Sequence, residues 1–116
     1  MADRVLFIGW NRPVVGREQQ AQKLFMKAME FYAKLLAEGR IEGFDTVLLN
    51  PHGGDLNGLV ILKGTAAKLA EVQRDESFIN MQAEGNYCLE GLGVIFGLTG
   101  NAIGDFMVRW SKLIGT

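Results

Sequence analysis

The sequence predicts an α+β domain in which a strand–helix–strand unit occurs twice, with a hairpin between the two units. Three observations indicate this order. A long amphipathic helix follows a short apolar strand, a cluster of turn residues separates two central strands, and a second helical region precedes a long apolar strand. The chain has 116 residues, a usual size for one domain and enough to bury a hydrophobic core. We therefore expect residues 1–116 to form a single domain.

The first two predicted elements are a buried strand and a long helix. Residues 5–10 are a continuous apolar run that ends shortly before Pro13, as buried strands often do. Between Arg17 and Gly39, apolar residues recur at the spacing of one helix face. They are Ala21, Leu24, Phe25, Ala28, Tyr32, Leu35 and Leu36. We expect Gly16 to be the N-cap of this helix, and Gly39 to end it in the left-handed conformation.

The second half of the chain contains a predicted hairpin and a second crossover. Strands at residues 42–50 and 59–63 flank a segment rich in Gly, Asn, Asp and Pro. Thr65 is a suitable N-cap for a helix, and residues 75–83 form a second helical piece that Gly85 and Asn86 are expected to end. Residues 88–99 then form the fourth strand, and residues 101–113 form a final amphipathic helix.

This order of elements is the split β-α-β, or ferredoxin-like, arrangement with an additional C-terminal helix. The sheet is then four-stranded and antiparallel, with both crossover helices on one face. We expect Leu48, Ile61 and Ile95 to make the other face too apolar to lie in water. The cover is either a second copy of the chain, which gives a dimeric α+β barrel, or the C-terminal helix of the same chain. We favour a homodimer through the sheet face, braced by the last helix.

Composition and charge exclude several classes of partner. Twelve Lys and Arg residues against thirteen Asp and Glu residues give a net charge of −1, and the charges are interspersed. Such a surface lacks the electrostatic footprint of nucleic-acid or anionic-membrane binding. The single cysteine, Cys88, cannot form an internal disulfide, and no apolar run is long enough for a signal peptide or a membrane span. These features predict a cytoplasmic protein with no nucleic-acid partner and no membrane partner.

Residues 31–83 resemble the YCII-related proteins of the dimeric α+β-barrel superfamily. The matching features are the helix end Leu-Leu-Ala-Glu-Gly-Arg at residues 35–40, the hairpin around Gly53 and Gly54, and the Asp-Glu-Ser-Phe segment at residues 75–78. The resemblance implies a sheet-to-sheet dimer with a cavity that holds a small organic molecule, and an acid–base role for Asp75. Many YCII-related proteins carry a histidine upstream of the Gly-Arg pair, but residues 27–29 here are Lys-Ala-Met. The proposed histidine partner of Asp75 is therefore missing.

His52 is the principal candidate for catalysis, together with Asp75. It is the only histidine, so it is the only side chain that titrates near neutrality without perturbation. It lies in the predicted hairpin loop, three residues before Asp55, and loops on a rigid sheet often carry function. The alternative is a solvated turn residue. A serine hydrolase is excluded because neither serine lies in a Gly-x-Ser-x-Gly sequence.

Trp10, Arg12 and Asn50 are the predicted ligand-binding residues. Trp10 and Arg12 lie at the end of the first strand, where side chains can border a cavity, and the guanidinium of Arg12 fits a carboxylate or a phosphate. The alternative is a core tryptophan and a surface arginine. Asn50 is expected to share one sheet face with Thr46 and Lys63. The opposite, more apolar face would carry Val47, Leu49, Val60 and Leu62.

Three glycines and the cysteine allow further interpretations. Gly91, Gly93 and Gly97 are expected on one face of the fourth strand, where they either leave a hollow for a ligand or allow another backbone to approach closely. Cys88 has no basic neighbour in the sequence, which favours a buried, unreactive thiol. One histidine and one cysteine provide no ligand spacing for a metal site. We therefore predict no metal and no cofactor.

Two functions follow from these observations, and the sequence does not decide between them. The first is a small-molecule-binding barrel, either a binding protein or a cofactor-independent enzyme with acid–base chemistry of the isomerase or lyase type. The second is a non-catalytic structural or oligomerisation module, favoured by the shortage of catalytic residue types. A monooxygenase-like barrel is a third and weaker hypothesis, since such chemistry is known among more distant barrel relatives.

Overall fold

A computed structural model describes residues 2–115 and confirms the predicted α+β order. The elements are β1 (Arg4–Trp10), β2 (Arg12–Pro13), α1 (Glu18–Ala37), β3 (Gly43–Leu48), β4 (Gly58–Gly64), α2 (Ala66–Arg74), α3 (Glu76–Cys88), β5 (Leu89–Glu90), β6 (Gly93–Leu98) and α4 (Asn101–Ile114). The long strands form a four-stranded sheet, and α1 and the α2–α3 pair are the two crossovers. A short pairing of β2 with β5 was not predicted.

The sheet has the strand order β3-β4-β1-β6, and every pairing in it is antiparallel. β1 pairs along its length with both β4 and β6, so it is a central strand. Leu6 lies between Leu62 and Phe96, while the adjacent Phe7 lies between Ile61 and Ile95. Because successive side chains of a strand point to opposite faces, these two rows belong to different faces of the sheet.

Helices cover only one of these faces, and the core lies beneath them. Along β4, Val60 and Leu62 are buried while Leu59, Ile61 and Lys63 are only partly so. The buried core cluster combines this face with residues of α1, α2 and α3. Its members are Leu6, Ile8, Tyr32, Leu35, Ile41, Val60, Leu62, Leu69, Val72 and Phe78. We call this side of the sheet the helix face.

The register of β3 changes the predicted assignment of side chains to faces. Thr46 pairs with Val60, and its hydroxyl donates a hydrogen bond to Sδ of Met29 on α1 at 3.2 Å, so Thr46 lies on the helix face. Val47 and Lys63 lie on the other face. The prediction that placed Thr46 with Lys63, and Val47 with Val60, is therefore wrong. The pairing partner sets the register, and the alternation within one strand does not reveal it.

The boundaries of two helices also differ from prediction. The N-cap of α1 is Arg17, and Gly16 (φ 90°) lies in the preceding turn, although Gly39 (φ 72°) has the expected left-handed conformation. α3 continues through Gly85 to Cys88, whereas the sequence predicted a break there. A Cβ at position 85 would lie 2.8 Å from Cδ2 of Leu92. Gly85 therefore allows close packing between α3 and the segment that leads into β6.

The side of the sheet that faces away from the helices is the outer face. It carries Val5, Phe7, Val47, Leu59, Ile61 and Ile95. Leu48 was predicted to lie with Ile61 and Ile95, but its register with Gly58 places it on the helix face. Ile95 is 58% exposed, so the outer face presents apolar surface to solvent in the single chain.

The C-terminal helix α4 does not fold back across the outer face. Among the described residues, α4 makes no substantial packing contact with another helix or strand. Its apolar side chains remain exposed, and they include Ile103, Phe106, Met107, Trp110 and Leu113. The alternative in which this helix covers the sheet within one chain is therefore wrong. None of the helices within residues 2–115 has the length and apolar character needed to cross a bilayer.

Shortening a core side chain of β4 should strongly destabilise the fold. Leu62 is fully buried, and Leu62→Ala is expected to lower the free energy of unfolding by about 2–5 kcal/mol, because it removes buried methyl groups and leaves a cavity. Urea denaturation followed by circular dichroism measures this change. Val15→Ala is the control, since Val15 is 88% exposed and its truncation should have little effect. Equal stability of the two variants would contradict the assignment of the core.

Candidate functional site

An apolar cavity lies on the helix face, between the sheet and helices α1 and α3. Its volume is about 270 Å³. Ile8 and Val60 form the sheet side, Leu24 and Phe25 come from α1, and Phe78 comes from α3. Strand β1 places Ile8 next to this space because every second residue of the strand faces the helices. The walls are therefore almost entirely aromatic and aliphatic.

The opening of the cavity lies near the end of β1 and the start of α1. The exposed side chains among the lining residues include Glu18, Gln22, Leu48 and Gln82. Glu18 is in the first turn of α1 and accepts a hydrogen bond from the N–H of Gly16 at 2.8 Å. A ligand would therefore pass polar side chains at the mouth before it reaches the apolar interior.

Trp10 forms part of the cavity wall, and its role in ligand binding remains a prediction. Its ring meets that of Phe25 edge-on, with centroids 6.2 Å apart and planes at 70°, which is a favourable aromatic geometry. A Cβ on Gly58, the residue opposite Trp10 in the sheet, would lie 2.5 Å from the indole. The absent side chain at Gly58 thus makes room for the indole on the helix face.

Tyr32 lies at the inner part of the cavity. It is 4% exposed, and its ring centroid lies 5.9 Å from those of both Phe31 and Phe44. Burial raises the pKa of the Tyr32 hydroxyl to about 12, so the phenol is neutral at physiological pH. The sequence predicted Tyr32 only as a packed residue of the helix stripe. The available signal was a hydroxyl-bearing side chain among otherwise apolar positions.

Arg12 and Asn50, the other predicted ligand-binding residues, do not line this cavity. Arg12 is exposed, and its Nε donates to Oε2 of Glu90 at 3.1 Å. Asn50 is exposed beyond the end of β3. Roles for Arg12 and Asn50 in ligand binding remain predictions.

The structure brings Arg12 and His52 together in a separate, polar depression on the surface. Its other members are Asn11, Pro51, Gly53, Gly54, Asp55 and Asn57. Nδ1 of His52 lies 3.0 Å from the carbonyl oxygen of Asn50, and the imidazole is exposed. This arrangement is compatible with the solvated turn considered for His52, and a catalytic role for His52 remains a prediction.

Asp75 has structural contacts and lies away from both depressions. Its Oδ1 accepts a hydrogen bond from the N–H of Ser77 and caps α3, and its Oδ2 accepts one from Nη2 of Arg40, each at 2.8 Å. The hydrogen bond from Arg40 lowers the pKa of the Asp75 carboxyl, against the opposing effect of burial. The structure does not bring His52 and Asp75 together, and acid–base catalysis by Asp75 remains a prediction.

Three glycines were predicted in the last strand, which is β6 in the structure, and none of them lines the cavity. Gly91 lies in a turn with φ 68°, before β6 begins. Gly93 and Gly97 lie on the outer face, opposite Gly9 and Val5. A Cβ at Gly97 would approach Cγ2 of Val5 to 3.1 Å, which indicates close packing at this position.

Cys88 is the last residue of α3 and is completely buried. Burial raises the pKa of its thiol, and a raised pKa disfavours the nucleophilic thiolate. Within residues 2–115, no three His, Cys, Asp or Glu side chains are grouped in a way that could hold a metal ion.

Comparisons with known proteins establish the fold and leave the function open. A dimeric protein of unknown function and ferredoxin-like fold from Bacteroides fragilis NCTC 9343 has a TM-score of 0.56 and 10% identity, over 82% of this chain and 95% of that chain. SnoaB, a cofactor-independent oxygenase from Streptomyces nogalater, has a TM-score of 0.53 and 19% identity, over 85% of this chain and 93% of that chain. No protein-family model and no curated protein matches the chain.

These likenesses define the chain as a ferredoxin-like α+β protein. They give no support to the more specific YCII-related assignment.

Removing the charge of Asp75 should reduce stability in a pH-dependent way. Asp75→Asn retains an N-capping oxygen but loses the ion pair with Arg40, and we expect it to lower the free energy of unfolding by about 1 kcal/mol at neutral pH. Since folding lowers the pKa of Asp75 from 3.8, its stabilisation is complete well above that value. It is lost as the pH falls through the lowered pKa.

Urea denaturation at neutral pH and at about pH 3 measures this difference. Glu71→Gln is the control, because Glu71 pairs with Arg74 on the exposed surface of α2 and its loss should matter little. If the difference in free energy of unfolding between wild type and Asp75→Asn stays the same at acid pH, the assigned pKa shift is contradicted.

Proposed function

We propose that this protein binds a small, predominantly apolar organic molecule in the cavity between the sheet and helices α1 and α3. The observation that carries the proposal is a space of about 270 Å³ with almost entirely apolar walls, between the sheet and the helices. Protein interiors contain few voids larger than a water molecule. A sealed void of this size would cost on the order of 6 kcal/mol at about 24 cal/mol per Å³, an upper limit because the cavity is open at one end.

The size and walls of the cavity define the kind of ligand. Ligand pockets commonly measure about 300–1,000 Å³, so this cavity suits a molecule of one or two rings. The aromatic side chains of Trp10, Phe25 and Phe78 favour a flat ring system. Polar side chains occur mainly at the mouth, at Glu18, Gln22 and Gln82. The apolar ring system of the ligand therefore lies against the apolar walls inside the mouth.

The chemistry of the walls favours binding over acid–base catalysis within the cavity. Among the described residues that line it, Glu18 is the only one with a charged side chain, and it lies at the mouth. Catalysis by His52 and Asp75, which the YCII-related resemblance and the titration of histidine suggest, would require a different site. For this reason we place the isomerase or lyase hypothesis below ligand binding.

A second candidate function is cofactor-independent oxygenase chemistry on the bound molecule. The likeness to SnoaB favours it, since that protein is a cofactor-independent oxygenase of similar fold. The largely apolar walls of the cavity also suit reactive oxygen intermediates, which water would otherwise intercept. An oxygen electrode would test this candidate with each compound that binds. Oxygen consumption supports it, and its absence with every bound compound leaves a binding protein.

Filling the cavity should abolish ligand binding without unfolding the protein. Ala28 on α1 lines the cavity, and Ala28→Phe is expected to exclude the bicyclic hydrocarbon tetralin by occupying its space. The matched control is Ala33→Phe, an exposed position on the same helix. Trp10 fluorescence in a Trp110→Phe background reports binding, because Trp10 lines the cavity while Trp110 is on α4.

We expect saturable binding of tetralin to the Trp110→Phe protein and to its Ala33→Phe variant, and none to the Ala28→Phe variant. Thermal melts would verify that all three are folded. Failure of the Trp110→Phe protein to bind would overturn the proposal and favour the alternative, a non-catalytic oligomerisation module.

We also propose a homodimer in which the outer faces of two copies pack together and α4 of each copy braces the partner. Two observations favour a second copy as the occupant. The outer face and the apolar side of α4 are both exposed in one chain, and each is too apolar to be a common free surface. A two-fold pairing buries both surfaces of both copies at once. The dimeric structural neighbour supports the same interpretation.

A charge on the outer face should separate the dimer. Ile95→Asp places a carboxylate on the edge strand β6 of the outer face, inside the proposed interface, where burial without a partner is unfavourable. Ile79→Asp is the matched control, since Ile79 is similarly exposed on α3 in the helix layer. Light scattering during size exclusion should show a dimer for wild type and Ile79→Asp, and a monomer for Ile95→Asp. A monomeric wild type, or a dimeric Ile95→Asp, would overturn the proposal.

A further inference from the structure

The inner part of the cavity contains a hydrogen-bond donor that the described residues do not use. The hydroxyl of Tyr32 has no hydrogen-bond partner within residues 2–115, although only 4% of the residue is exposed to solvent. Every fully enclosed side-chain nitrogen or oxygen in the described part of the chain does have a partner. The Tyr32 hydroxyl is therefore not fully enclosed, and the cavity is the open space that Tyr32 is known to line.

The position of Tyr32 in α1 agrees with this orientation. It is the last residue of α1 that lines the cavity, whereas Glu18 is the first. Long side chains of a helix lean toward its N-terminus, which here is the direction of the cavity mouth. This tendency favours an orientation in which the hydroxyl of Tyr32 points along the space that a ligand would occupy.

The surroundings of Tyr32 determine which ligand group it accepts. No lysine, arginine or histidine lies among the described lining residues, so the cavity offers no counter-ion to an anionic ligand group. The raised pKa keeps the phenol protonated and able to donate. A ligand that leaves this buried donor unpaired loses its hydration without replacement. A neutral oxygen acceptor satisfies the donor without bringing a charge into an apolar site.

We propose that the cavity selects an apolar, ring-containing molecule with one neutral hydrogen-bond acceptor, such as a ketone carbonyl, at the end that enters first, and that Tyr32 donates a hydrogen bond to this oxygen. The inference rests on the proposed ligand-binding function and makes it more specific. Tyr32 is a specificity-determining residue in this scheme, and the aromatic walls supply most of the affinity for either kind of ligand.

A pair of ligands with the same skeleton tests this inference. 1-Tetralone carries a ketone on the ring system of tetralin, which has none, so the two compounds differ mainly in the hydrogen-bond acceptor. Each is titrated into the Trp110→Phe protein, alone and with Tyr32→Phe added, and Trp10 fluorescence reports binding. Tyr87→Phe is the matched control, because Tyr87 is exposed and lies outside the cavity.

The binding free energy of each ligand is first corrected for its free energy of transfer from water into an apolar solvent. After this correction, we expect tetralone to bind more tightly than tetralin. Tyr32→Phe should weaken tetralone binding by about two- to tenfold, the range for one hydrogen bond, and leave tetralin binding unchanged or improved. Tyr87→Phe should change neither. Equal effects of Tyr32→Phe on both ligands, or no effect on either, would overturn the role of Tyr32 while ligand binding itself stands. Failure of both compounds to bind the starting protein would overturn both proposals.

Discussion

The whole structure depends on the one-sided burial of the central strand β1. Leu6 and Ile8 lie beneath α1 and the α2–α3 pair, between β4 and β6, and are almost inaccessible to solvent. Because side chains alternate along a strand, the same residues that secure the helices leave Val5 and Phe7 on the outer face. The apolar helix face determines where the core forms. It also determines that a second apolar surface remains, which the chain by itself does not cover.

The two ends of α1 have different surroundings, a buried core at its end and the cavity nearer its start. We expect this difference to distinguish residues that stabilise the fold from residues that contact the proposed ligand. Near the end of α1, Leu35 joins Leu69 and Val72 in the fully buried core. The ion pair of Arg40 with Asp75 joins the same end of α1 to the start of α3. The cavity is lined by residues of α1 from Glu18 to Tyr32 and so lies nearer the start of that helix. Residues at the end of α1 are therefore expected to affect folding, and those nearer its start to affect ligand binding.

The exposed surfaces follow from the same constraint. A two-layer α+β domain covers one face of its sheet, so the opposite face must be polar or must find a partner. In this chain the outer face is apolar around Phe7 and Ile95, and α4 extends from the body with its apolar side chains exposed. The described residues thus leave two apolar surfaces exposed and an apolar cavity between the sheet and the helices. The proposed association and the proposed ligand binding would both follow from this incomplete covering of the sheet.

The sequence by itself determined the order and type of the elements, because period-two and period-3.6 patterns, caps and turn residues are local signals. Only the tertiary structure decided which residues share a face and a site. The pairing of Thr46 with Val60, the contact of Gly85 with Leu92 and the ion pair of Arg40 with Asp75 depend on the relative placement of separate elements. The unpaired hydroxyl of Tyr32 belongs to the same class. A helical stripe shows that a tyrosine is buried, whereas the empty space beside its hydroxyl depends on how closely the sheet and helices pack there.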